Sequence, residues 1–250
     1  MVKGLYTAYT GMVNEQNRMD IMTNNLANAS TVGYKKEGST SQSFDDVLTV
    51  KIKDQSVGMR NVQRLGVKNP GVKIGENYTD YSQGSFRITG NTYDLALSGE
   101  GFFAIEFTNK AGETFTLNKD GYLVTEEGDY VLDTQNRRIR LNTLIDSSIT
   151  DDGTIYQNGQ AVAKIQVTDF EDYDYLEKYG ETYYQPIQGA KTIAAKAQVK
   201  SGYLEMANVQ IVSEMVNLIS ITRAYESNQK VVQTIDDTLD VAVNQIGRVQ

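Results

Sequence analysis

The sequence predicts an α+β protein in which N- and C-terminal helices form a coiled-coil-like layer and the middle of the chain is a central antiparallel β domain. Apolar residues recur every seven positions near both ends, the stripe of an amphipathic helix that needs a partner. Between the ends, Gly and Asx-Gly turns return at the roughly 8–12-residue rhythm of short strands. The 250 residues, 40% hydrophobic and 22% charged, are enough to bury a core without staples.

The first element, within residues 1–30, carries Leu5, Met12, Met19 and Leu26 at a spacing of seven, with Ala8, Met22 and Ala29 three positions further on. This predicts a helix of about 25 residues, roughly 38 Å long. Glu15 interrupts the second row. The helix is expected to end near Asn28-Ala29-Ser30-Thr31-Val32-Gly33, where small polar residues and a glycine let the chain turn away.

Residues 31–75 hold Gly38-Ser39-Thr40-Ser41, Gly58, Gly66 and Asn69-Pro70-Gly71, with one short apolar piece near Phe44, Val47 and Leu48, and read as an extended connector. Residues 76–200 carry the turn signals Asn109-Lys110-Ala111-Gly112, Lys119-Asp120-Gly121, Glu127-Gly128-Asp129, Asp152-Gly153 and Asn158-Gly159. Runs such as Phe102-Phe103-Ala104-Ile105 lie between them, predicting a β-rich outer domain of sandwich or barrel type.

Residues 201–250 repeat the helical pattern over a greater length. Ile211, Leu218, Tyr225, Val232, Leu239 and Ile246 form one row, joined by Ile221, Ile235 and Ala242 and, one place over, by Met215 and Val243. From Asn208, a plausible N-cap, to Gly247, a plausible C′ glycine, no Pro or internal Gly intervenes, and one helix of roughly 60 Å is predicted. Two arrangements fit: the terminal helices pack within one chain, on each other or on the middle domain, or they form an intermolecular layer. Glu214 and Asn228 lie in the second row, where buried polar groups set register and partner number.

Composition removes many functions. There is no Cys, His or Trp, so imidazole bases, thiol nucleophiles and zinc or cluster ligation of the usual kinds have no residues to use. No catalytic residue, metal or cofactor is expected. The formal charge of −8 divides into +2 over residues 1–36, −7 over 37–204 and −3 over 205–250, which argues against nucleic acid as a partner. No stretch approaches the roughly 20 apolar residues of a spanning helix, and the start lacks the apolar region of a cleaved signal peptide. Gly99-Glu100-Gly101-Phe102-Phe103-Ala104 mimics a dinucleotide fingerprint, but a strand pattern follows it where a phosphate-binding helix would be required. Ser227-Asn228-Gln229-Lys230 fits S-x-x-K inside the heptad helix, without companion motifs. The acidic, Tyr-rich residues 169–184 break the calcium-loop spacing and read as a solvated segment. They also supply an alternative function, a cell-wall or carbohydrate-binding or carbohydrate-active domain, for which no carboxylate pair is singled out.

Asn24-Asn25-Leu26-Ala27-Asn28-Ala29-Ser30-Thr31-Val32-Gly33-Tyr34-Lys35 resembles the N-terminal signature of bacterial flagellar rod and hook proteins. Gly4-Leu5-Tyr6-Thr7-Ala8-Tyr9-Thr10-Gly11-Met12 is similar to the start of the same family. Gly202 to Val209 and Arg223 to Lys230 resemble its C-terminal block, and Asp94 to Phe103 the strand pair that opens its β domain. The length suits rod members, of proximal or distal class, better than the hook. The resemblance implies a structural subunit, not an enzyme, exported through the flagellar type III apparatus without a cleaved signal and placed in the basal body. It implies a helical homopolymer with the terminal helices as an inner tube and the β domain outside, transmitting motor torque and touching other rod and hook proteins. The assembly residues would then be Leu5, Met12, Met19 and Leu26 with Ile211, Leu218, Tyr225, Val232, Leu239 and Ile246. The signature residues are Asn24, Asn25, Leu26, Ala27, Asn28, Thr31, Gly33, Tyr34 and Lys35, with Asn24, Asn25 and Asn28 shaping the helix exit.

Overall fold

The computed structural model describes residues 2–52, 62–106, 115–125 and 128–246. The chain is a mixture of helix and antiparallel sheet in two compact units, one made of Met1–Leu26, Glu37–Asp80 and Gln210–Gln250, the other of Ala27–Lys36 and Tyr81–Val209.

The first unit contains both long helices. Helix α1 spans Val2–Ala27, and α2 spans Ile211–Val241, followed by a π-helical turn over Ala242–Ile246. At 1.5 Å per residue α2 alone is roughly 46 Å long. It starts later than the expected cap at Asn208: Gln210 stands in the N-cap position and makes no side-chain cap. Asn208 is engaged elsewhere, accepting from the Lys36 N–H at 2.7 Å and donating to both Ser82 oxygens at 3.0 Å. Gly247, expected as C′, lies outside the described residues.

The described residues of the segment read as a connector, 31–75, include strands paired to one another and to the residues just after it. Strands β1 (Glu37–Ser43) and β4 (Val72–Thr79) run antiparallel, as do β2 (Val47–Ile52) and β3 (Val62–Lys68). Strand β1 reads Glu-Gly-Ser-Thr-Ser-Gln-Ser and has none of the apolar alternation that announces a strand. Part of its stability comes from across the ladder, where Tyr78 pairs with Gly38 and lays its ring over the glycine. An aromatic facing a glycine on a paired strand covers the backbone that the missing side chain leaves open.

The second unit is built from short antiparallel strands in sheets of two to four. Ile105–Glu106, Tyr130–Val131, Leu123–Thr125 and Phe115–Leu117 form a four-stranded sheet, and Ser147–Ile149, Thr154–Gln157 and Gln160–Lys164 form a meander. Asn158 and Gly159 make the hairpin turn of that meander, with φ of 51° and 74°. That is the pair of left-handed conformations a two-residue type I′ loop needs. The turn expected at Asn109–Gly112 lies outside the described residues. Leu95, Leu97, Phe115, Leu123, Val131, Ile139, Leu141, Ile155, Ile165 and Val199 close the core. Ile155, fully buried, stands at its centre, while Val162 on the neighbouring strand faces water. Ile155→Ala should therefore cost about 2–5 kcal/mol and Val162→Ala under about 0.5 kcal/mol, read as shifts of the urea midpoint at unchanged slope.

Candidate assembly interface

Helix α1 presents three rows of side chains, each with a different neighbour. Gly4, Ala8 and Gly11 form the row that meets α2. A β-carbon placed on Gly4 would stand 3.5 Å from Ile235 Cδ1, and one on Gly11 only 2.9 Å from Asn228 Nδ2. Thr7, Thr10 and Asn14, three and four apart, form the row that meets the strands. Thr7 Oγ1 donates to the Pro70 carbonyl at 2.9 Å, and buried Asn14 donates to Ser41 Oγ at 3.0 Å while accepting from it at 3.1 Å. Thr10 lies against Gly71, where a side chain would collide with its hydroxyl. The third row, Tyr6, Tyr9 and Val13, is exposed to solvent, with Tyr9 at 57%.

Helix α2 is likewise two-sided. Its inner stripe alternates by three and four: Glu214 and Ile221 are buried, and Leu218, Tyr225, Asn228, Val232, Ile235, Leu239 and Ala242 are half-buried. Its outer side begins with Val212, Met215, Val216 and Ile219 in the open, Val212 at 76% and Val216 at 61%. These positions, i, i+3, i+4 and i+7, form an apolar stripe directed away from the chain's own packing. Scattered exposed apolar residues are ordinary, whereas a contiguous set marks a contact surface.

The residues singled out from sequence divide between these environments. Leu5, Met12, Met19 and Leu26 are half-buried, as are Leu218, Tyr225, Val232 and Leu239, while Ile211 is half-exposed. Met215 and Val243 face solvent and do not join the inner stripe. The side chain of Ile246 lies outside the described residues. The heptad count missed the glycine row and the threonine–asparagine row because it followed apolar residues only. Gly4 and Gly11, seven apart, were the available signal. It also merged the outer stripe with the inner one, since Ile211, Val212, Met215, Val216 and Leu218 make one broad apolar arc over the first two turns of α2.

The signature residues occupy the helix exit and the segment directly after it. Asn25, with no exposed surface, pairs with the backbone of Glu37 as a strand would, donating to its carbonyl at 2.8 Å and accepting from its N–H at 2.9 Å. Asn24 and Ala27 are exposed on the last turn. Beyond it, in the second unit, Asn28 accepts from Thr31 through its backbone at 3.0 Å and its side chain at 3.2 Å, and donates to Glu181 at 2.9 Å. Gly33, at φ 69°, donates to the Glu205 carbonyl at 2.8 Å, and Val32 bridges Met206. Tyr34 is fully buried with Lys178 Nζ 4.4 Å above its ring. Lys35 pairs with the Glu205 carboxylate at 2.7 Å, which also accepts from the Gly84 N–H at 2.8 Å. Within the second unit, residues 32–36 and 205–208 thus form one structure.

The acidic, Tyr-rich segment is largely exposed, with Tyr175 and Tyr179 in solvent, while Tyr173 and Tyr184 turn inward. Tyr173 and Tyr184 stand 4.9 and 5.3 Å from Tyr81 and close on Phe102, beside a cavity of 590 Å³ that reaches Leu95 and Phe115. Tyr173 donates to Asp169 at 2.8 Å, and burial together with that carboxylate raises its pKa well above the usual phenol range. The rings pack on one another. Among the described residues no cluster of His, Cys, Asp and Glu is arranged to hold a metal, and no helix is long and apolar enough to cross a membrane.

Residues 5–35 match the family model described as flagella basal body rod protein, and residues 200–246 match that of the flagellar basal body rod FlgEFG protein C-terminal region. The chain is 32% identical to the flagellar basal-body rod protein FlgG of Bacillus subtilis (strain 168), over 98% of this chain and 99% of that protein. It is 30% identical to the flagellar hook-basal body complex protein FlhO of the same organism, over the whole of both. It is also 30% identical to the flagellar basal-body rod protein FlgF of Caulobacter vibrioides, again over the full length of both. These matches span the β-rich middle as well as the helices, and the chain belongs to the flagellar basal-body rod protein family.

Proposed function

We propose that this protein is a structural subunit of the flagellar basal-body rod, polymerising through its terminal helices into a tubular drive shaft that carries motor torque toward the hook. The family is one of structural proteins, not enzymes. The observation that carries the assembly mode is the outer apolar stripe of α2, Val212, Met215, Val216 and Ile219, left in water by the chain's own packing. At about 25 cal/mol per Å² of apolar area, covering it with a neighbouring copy supplies a favourable drive that no intrachain contact supplies. Tyr6, Tyr9 and Val13 of α1 add a second such row. A neighbour meeting these faces through a different patch of its own forms a heterologous contact, which propagates as a helix when the rotation does not close. In this reading the inner stripe holds each chain's helices together and the outer stripes build a coiled-coil-like layer between chains. Other rod and hook proteins abut the polymer at its ends. The subunit reaches its place through the flagellar type III apparatus without a cleaved signal.

Two substitutions separate the stripes. Val216→Asp should leave the thermal midpoint of the soluble chain unchanged, because the position is exposed, yet weaken polymerisation by about tenfold or more. Leu218→Asp, one turn of stripe away on the inner side, should lower the thermal midpoint as well and abolish motility. Sedimentation of purified protein and electron microscopy of purified hook–basal bodies read both. Normal rods and swimming with Val216→Asp would refute the outer stripe as an interface.

The role proposed for Asn25 is to start β1 at a fixed place beside the helix. Asn25→Ala should cost about 1–3 kcal/mol by removing both hydrogen bonds that the buried Asn25 amide makes with the Glu37 backbone. Amide hydrogen exchange at Glu37 should rise accordingly, and unchanged protection there would refute the role.

A further inference from the structure

We propose that Asn228, seated over Gly11, is the key that sets the antiparallel register of the two terminal helices within each chain. Gly4 faces Ile235 and Gly11 faces Asn228, so the contacts are seven residues apart on both helices and run in opposite directions. That geometry belongs to a single antiparallel alignment. α2 side chains reach α1 at its glycines: a β-carbon on Gly4 would just touch Ile235, whereas one on Gly11 would crowd the Asn228 amide and oblige it to shift.

The equal spacing creates an ambiguity that something must resolve. Sliding α2 by one heptad would put Ile235 against Gly11 and Ala242 against Gly4, and both are apolar residues of the same inner stripe. Apolar side chains in such a stripe are nearly interchangeable, so packing alone discriminates weakly between the two alignments. Asn228 is a polar residue at the middle of the stripe, and it is half-buried. A single polar residue at such a position characteristically specifies register at some cost in stability. Its amide has the branched outline of leucine, so replacement by leucine changes polarity while keeping shape.

The chain has no cysteine, which makes introduced pairs the only thiols present. Gly4→Cys with Ile235→Cys reports the observed alignment. Gly4→Cys with Ala242→Cys reports the slipped one. With Asn228 in place, a short bifunctional thiol reagent applied to the monomeric chain should link the first pair and not the second. Adding Asn228→Leu should raise linkage of the second pair by about tenfold while circular dichroism shows the helices retained. Slipped-pair linkage that stays at its starting level in the folded Leu variant would overturn the proposal. A steric arm covers the case in which leucine disturbs folding. Gly11→Ala alone should reduce linkage of the first pair, and Gly11→Ala with Asn228→Ala should restore it. Full linkage with Gly11→Ala alone would also overturn the proposal. Because linkage is read in the monomer, these results stand apart from whether the chain polymerises.

Discussion

The first unit depends on how α1 is seated: the tips of Ile235 and Asn228 reach it at Gly4 and Gly11, and hydrogen bonds tie its other flank to the strands. A glycine contributes no apolar side chain, so Ile235 and Asn228 pack against helix backbone where two interlocking stripes would normally meet. Dispersion favours these contacts, but a glycine adds no apolar side-chain area to them. The opposite flank of the row supplies what the contact lacks. Thr7, Asn14 and Asn25 tie α1 to Pro70, Ser41 and Glu37. Each such bond contributes only about 0.5–1.5 kcal/mol net, yet leaving a buried partner unmade costs about 1–3 kcal/mol. The hydrogen bonds therefore act chiefly by penalising every placement of the strands but one.

This division of labour explains why α1 is a poor amphipathic helix by composition and a well-defined one in place. Polar residues that seem to break its heptad face the strand pair. Small residues face α2. Among the larger apolar and aromatic residues of α1, Tyr9 and Val13 stay exposed, and Tyr6 does so with only Phe44 beside its ring. The same logic holds on α2, where burying Glu214 in the inner stripe and exposing Val212 and Val216 on the outer side reverses the usual pattern of a surface helix. A helix with apolar residues on two sides is suited to a layer in which it has neighbours on two sides.

Both helices and the turn-rich β middle were legible because their signals are periodic and strong: a seven-residue repeat and Asx-Gly turns such as Asn158-Gly159. Strands β1 to β4 were not legible as strands. Strand β1 is polar throughout and is held by backbone pairing to β4, by Tyr78 over Gly38 and by side chains of α1, all contributed from distant sequence. The start of α2 was misplaced for a related reason. Asn208 has the chemistry of a cap, but its carboxamide is taken by Lys36 and Ser82, and local propensity yields to that tertiary demand. On α2 the seven-residue repeat marks the half-buried inner stripe, whereas the glycines of α1 that Ile235 and Asn228 touch carry no apolar signal to follow.

The conjunction of two distant motifs has a physical origin in the second unit. The residues after the first helix and those before the last one pair as Val32 with Met206, Gly33 with Glu205 and Lys36 with Asn208. Glu205 is the hinge of this arrangement: its carbonyl accepts from Gly33, and its carboxylate from Lys35 and from Gly84. Gly84 has no room for a side chain, because the Met206 carbonyl occupies that place. With both side chains of the Lys35–Glu205 pair mostly buried, the pair adds little net stability, but removal of either member strands a charge at a cost of about 3–5 kcal/mol. Such a pair selects an arrangement more than it strengthens one. The two segments gain a single permitted geometry for their meeting, and the lysine of the first signature and the glutamate of the second are legible as one feature only once the chain is folded.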